Sequence, residues 1–194
     1  MKLEDILDFI RKDQDCIEKL DRMCIIHMYT KHYLLVAEEL SEDSIAFLQP
    51  LKEHRDAYDH LMRVLYVPRN EKLNNSESSV SQESIELYIK DNIKKALGHE
   101  YRSFFDTADW LTYICRKEVR EQLAFRGIKK RYEEKYGNKE YQEAQKLINS
   151  LPFKIAKYRE SKDIDTDDKL SEIETYKKTL EDLIDLYKRI QELK

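Results

Sequence analysis

Between Glu53 and Tyr66 the chain crowds Arg55, Asp56, Asp59, His60 and Arg63 into one short stretch. An imidazole titrates near neutral pH, so His60 can take or give a proton, while a guanidinium can hold a phosphate through two parallel hydrogen bonds. With a carboxylate beside them, the set can move a proton and hold an anion. A second stretch, Leu97 to Trp110, carries the same ingredients in His99, Arg102, Asp106 and Asp109. Both contain Arg-x-x-x-Asp with an aromatic just before the Asp. The expected ligand is an anion.

If both stretches are helical, the 100° step fixes what they can reach. On the first, Leu51, His54, Tyr58, Leu61, Met62 and Leu65 share an apolar face, and Asp56, Asp59, His60 and Arg63 lie opposite with Arg55 at the border. On the second, Leu97, Tyr101, Phe104, Ala108 and Leu111 oppose His99, Arg102, Asp106 and Asp109. Three arrangements follow. The stripes carry surface ion pairs, Arg55 with Asp59 and Arg102 with Asp106, each worth about 0.3–0.5 kcal/mol; or they face each other as a hydrogen-bonded network; or they face a partner chain.

Other chemistries find less support. No Glu-x-x-His precedes any of the five histidines, and His60 with Asp56 or His99 with Asp106 falls short of a ligand set, so neither a metal nor another cofactor is expected. Glycine-rich phosphate loops and nucleophile elbows are missing from the sequence. Cys16, Cys24 and Cys115 are odd in number and unpaired in spacing, which points to free thiols in a reducing cytoplasm. A net charge of −4 argues against a non-specific nucleic-acid coat.

The elements that position these groups must be helices. With 38% charged residues and only three Gly and three Pro in 194, tight turns are too few for a sheet, and an all-α antiparallel bundle of long helices is expected. Ile6, Ile10, Asp13, Ile17, Leu20, Cys24 and His27 recur at fours and threes as one seam, with His27 a hydrogen-bonded core histidine. Apolar residues surround the following Met23 to Ala37, a segment expected to be central or covered by a second subunit; His27, Lys31 and His32 interrupt it, so no membrane span is expected.

A connector over Ser41 to Gln49 leads to a helix starting at Pro50, then a mobile loop around residues 67–80, a capping box at Ser79 to Gln82 and a long helix from about Glu83 to Gly127 or Tyr136. That helix ends in a basic run, Arg116 to Arg131, read chiefly as a solvated face and secondarily as an RNA-backbone track. The domain division expected is a bundle core over 1–136 and a coiled-coil-like C-terminal hairpin over 137–194. Gly137 is its C-cap, Pro152 a kink, Asp163 to Thr166 its turn, and Ile173, Tyr176, Leu180, Leu183, Tyr187 and Ile190 its seam, which could also pair two chains.

Arg55-Asp56-Ala57-Tyr58-Asp59-His60 resembles the signature of the HEPN superfamily, helical bundles in which Arg-x4-6-His often marks metal-independent endoribonucleases of toxin–antitoxin or antiviral systems, commonly acting across a dimer interface. The resemblance implies His60 as general acid or base toward a ribose 2′-hydroxyl, Arg55 stabilising charge on phosphorus, and Asp56 orienting the pair. Arg22 to His27 matches the same loose spacing, and the polar Asp56 favours the later match. The superfamily usually carries the motif near its last core helix; here it lies in the first third. The alternative from another class is a non-catalytic helical adaptor subunit of a multi-protein complex, which the charged helix faces serve equally well.

Overall fold

The computed structural model describes residues 3–41, 47–70, 82–162 and 170–194. Among them every regular element is an α-helix: α1 (Leu3–Lys12), α2 (Gln14–Leu40), α3 (Leu48–Asn70), α4 (Gln82–Ala124), α5 (Arg126–Tyr136), α6 (Asn138–Lys162) and α7 (Leu170–Gln191). The fold is an all-α bundle, and no described helix is long and apolar enough to cross a membrane. The expected loop beyond Asn70, the start of the capping box at Ser79 and the turn at Asp163 to Thr166 lie outside the described residues. By contacts the chain separates into two units, residues 1–29 with 48–104, and residues 30–47 with 105–194, so that α2 and α4 each contribute to both.

In the first unit α1 packs on α3. Ile6, Cys16, Val64, Ile89 and Ile93 form its buried core, with Phe9, Ile10, Leu20 and Ile85 against them. The single seam expected from Ile6 to His27 is interrupted at Asp13. There Asp13 Oδ1 accepts from the Cys16 backbone N–H at 3.0 Å, an N-cap that starts α2 afresh, while Oδ2 pairs with Lys90 at 2.6 Å. The restart slips the pattern by one residue. Cys16, Met23, Ile26, Thr30, Tyr33 and Ala37 turn inward, and Cys24 and His27 turn out. Ile25, Met28 and Leu35 are exposed, so α2 is not enclosed on every side.

In the second unit α5 packs on α6 and α6 on α7. At Phe125 the chain leaves α4 with an extended ψ of 119° and re-enters a helix at once. Gly137 has φ 93°, a left-handed value that a side chain disfavours, and its N–H donates to the Glu133 carbonyl at 2.9 Å. That closes α5 and lets α6 begin at Asn138. Pro152 sits inside α6 without ending it. Ile173, Tyr176, Leu180, Leu183 and Ile190 are buried along α7 as its periodicity predicts, joined by Thr179 and Leu186.

Candidate functional site

α3 and α4 run antiparallel, and the groups that join them are polar. Ser103 donates to the Pro50 carbonyl at 3.0 Å at one end; His60 bonds Asn92 at 2.9 Å at the other. Between these lie two imidazole–carboxylate contacts, His99 Nδ1 to Glu53 Oε2 at 2.8 Å and His54 Nδ1 to Glu100 Oε1 at 3.0 Å. The inward face of α3 is therefore Glu53, Ala57 and Val64, with His54, His60 and Leu61 half-buried. This corrects the apolar face expected from periodicity, because Leu51, Tyr58 and Met62 are exposed. Side chains that bond across the interface take the places that apolar contacts usually fill.

Glu53 anchors the larger group. Its Oε2 also accepts from Arg102 Nε at 2.9 Å, and Oε1 accepts from Gln49 at 3.2 Å. Burial pushes its carboxyl up, but the bonds from His99 and Arg102 outweigh burial and hold it below the usual glutamate range. His60 stacks on His99 with ring centroids 5.3 Å apart and planes 24° from parallel. Asn92 commits its amide nitrogen to the Tyr88 carbonyl at 2.9 Å, so its Oδ1 faces His60. An oxygen can only accept, so His60 Nδ1 carries a proton, and in the neutral ring the lone pair is on Nε2.

The other residues picked out by sequence separate into three places. Arg55 is exposed and donates to Asp56 Oδ1 through Nε at 3.0 Å and Nη2 at 2.8 Å, which keeps the Asp56 carboxyl below its usual range. Asp59 pairs with Arg63 at 2.6 Å on the surface, not with Arg55. Arg102 bonds Glu53. Asp106 is buried, and Asp109 belongs to the second unit, where it accepts from Arg159 at 2.6 Å and Tyr176 at 2.7 Å. The two polar stripes thus meet in part: His99 and Arg102 face α3, while Asp106 and Asp109 fall in a different contact unit.

Periodicity places His54 inward but overlooks its partner Glu100 and the matching Glu53, and gives no sign of Asn92. The signal that carries them is an acid and a histidine adjacent on each helix, Glu53-His54 and His99-Glu100, so that each histidine finds the other helix's glutamate. His27 and His54 meet edge to face at 5.0 Å, and His27 Nδ1 lies 3.6 Å from Glu100 Oε2. The basic run of α4 and α5 is partly spent within the second unit. Tyr132 is buried, Arg131 donates to the Leu193 carbonyl at 2.6 Å, and Lys129 and Lys130 lie beside Glu133 and Glu134.

Comparison with protein-family models, with curated proteins and with solved structures finds no match for this chain.

Proposed function

We propose that the α3–α4 face of the first unit binds and cleaves RNA in the manner of HEPN-like endoribonucleases. The carrying observation is the His60 Nδ1 bond to Asn92 Oδ1, which leaves Nε2 for a substrate at a half-buried position beside His99. In this reading His60 Nε2 removes the 2′-hydroxyl proton, the 2′-oxygen bonds to phosphorus, and the P–O5′ bond breaks as O5′ takes a proton from a solvent water, to which His60 then returns its own. Arg55, steadied by Asp56, holds the non-bridging oxygens. No metal takes part in these steps. The expected result is cleavage of single-stranded RNA that persists in EDTA and falls by about a hundredfold or more in His60→Ala, given the usual worth of a general base. Cleavage unchanged in that variant, with folding intact by circular dichroism, ends the proposal.

A second copy completes this reading. Leu51, Arg55, Tyr58, Met62 and Tyr66 form one outward stripe on α3, at spacings of four, three, four and four, all but Arg55 exposed hydrophobics. Antiparallel pairing of two such stripes around Tyr58 buries the tyrosines and brings each Arg55 to the other copy's site. Sedimentation equilibrium is expected to give a dimer for the native chain and a monomer for Tyr58→Glu; a native monomer at tens of micromolar would sink the pairing. Should the native chain pair yet leave RNA intact, the same stripe supports the adaptor reading, in which α3 docks a helical partner without chemistry.

A further inference from the structure

Three imidazole and carboxylate groups from three helices converge beside the site above and take no part in the proposed cleavage: His27 of α2, His54 of α3 and Glu100 of α4. Their ligand atoms all lie within 4.8 Å of one another. Glu100 is 93% buried at its side chain, and among the described residues no lysine or arginine is paired with it; His54 lies at 3.0 Å and His27 at 3.6 Å. The first is a hydrogen bond and the second is too long to be one. Glu100 Oε2 is accordingly a buried oxygen with no hydrogen-bond donor, aimed at a neighbouring imidazole nitrogen. Such an atom is costly to leave unmatched, and a cation matches it best.

We infer that His27, His54 and Glu100 form a three-ligand site for a divalent transition ion of the Zn²⁺ type. Bond lengths of 2.0–2.1 Å in a tetrahedron set ligand atoms about 3.3 Å apart; His54 Nδ1 lies 3.0 Å from Glu100 Oε1 and His27 Nδ1 3.6 Å from Glu100 Oε2, and the three ligand atoms, within 4.8 Å of one another, need side-chain rotation to close on an ion. Two imidazoles and one carboxylate favour Zn²⁺ and its first-row neighbours over Mg²⁺ and Ca²⁺, which prefer all-oxygen shells. The ion would take the place of the proton between His54 Nδ1 and Glu100, that proton moving to Nε2. His27 is half-exposed, which opens the fourth position to solvent and gives the ion a way in. The site is independent of the RNA reading, since none of its ligands is assigned a role in cleavage.

The test is isothermal titration of ZnCl₂ into the untagged, chelator-treated full chain, with the visible absorption of Co²⁺ as a second readout of coordination. One ion per chain is expected, with the intense bands of a four-coordinate Co²⁺ site. Glu100→Gln, nearly isosteric, and His27→Ala, at a half-exposed position that tolerates truncation, are each expected to weaken Zn²⁺ binding by at least about tenfold. His32→Ala, an exposed histidine one turn further along α2, should leave it unchanged. Binding no tighter than about 100 μM, or equal in the native chain and in folded Glu100→Gln or His27→Ala, overturns the assignment. Loss in His32→Ala to the same degree would identify adventitious surface histidines and overturn it equally.

Discussion

Replacing Tyr176 by alanine is expected to destabilise the protein by about 3–5 kcal/mol, the usual cost of deleting a buried aromatic. Its ring is fully buried, stacks on Tyr158 with centroids 4.4 Å apart and lies 6.1 Å from Phe105. Its hydroxyl donates to Asp109 Oδ1 at 2.7 Å. Tyr176→Phe keeps the ring and is expected to cost only about 1–2 kcal/mol, because Arg159 still bonds Asp109. Urea denaturation of the two variants separates packing from hydrogen bonding; equal losses would show that the hydroxyl, not the ring, carries the stability.

The same pair predicts an alkaline limb. Burial first, and then the Asp109 carboxylate, push the Tyr176 phenol far above its ordinary value. A raised folded-state value means that the contribution is whole below the unfolded tyrosine value of about 10 and is lost as pH rises beyond it. Tyr176→Phe should therefore shift alkaline unfolding to higher pH. The remaining alkaline sensitivity belongs to other groups, among them the thiols of Cys16 and Cys115, each pushed up to about 12 by burial.

Glu53→Ala is expected to cost about 3 kcal/mol, at the low end for breaking a buried pair because Arg102 reaches solvent. The loss removes the acceptor shared by His99, Arg102 and Gln49 and leaves all three without it. Glu53→Gln keeps an acceptor and should cost roughly half as much. Since the Glu53 carboxyl titrates below its unfolded value of about 4.3, its contribution is complete above that value and disappears as pH falls through the lower folded one. Acid unfolding of Glu53→Gln, followed by circular dichroism, should thus be shallower between about pH 5 and the lower folded value. An acid limb identical to that of the native chain would mean that Glu53 is not held ionised by its neighbours.

Helices and their periods are legible because few glycines and prolines break the chain, and α7 buries the residues its spacing marks except Tyr187, which is half-buried while Leu186 beside it is enclosed. Register failed where a polar side chain did structural work. Asp13 reads as one more seam position, yet its carboxylate caps α2 and slips the seam by one residue, which takes His27 out of the core and sets it by Glu100. Glu53 reads as solvated, since periodicity counts every glutamate as outward, and only its bonds to His99 and Arg102 reveal why it points in. Arg55, Asp56 and His60 were visible as types; that Asn92 sets the tautomer of His60 depends on a helix 32 residues away in sequence.

The slipped register of α2 also sorts the thiols. Cys16 and Cys115 are enclosed, whereas Cys24 stands in solvent one turn before His27. Alkylating reagents meet enclosed sulfurs only after the helices open, so a brief exposure to maleimide marks Cys24 ahead of the others. The native chain thereby carries its own attachment point for a fluorophore beside the three-helix junction, with no engineered residue needed to watch that junction respond to ions or RNA.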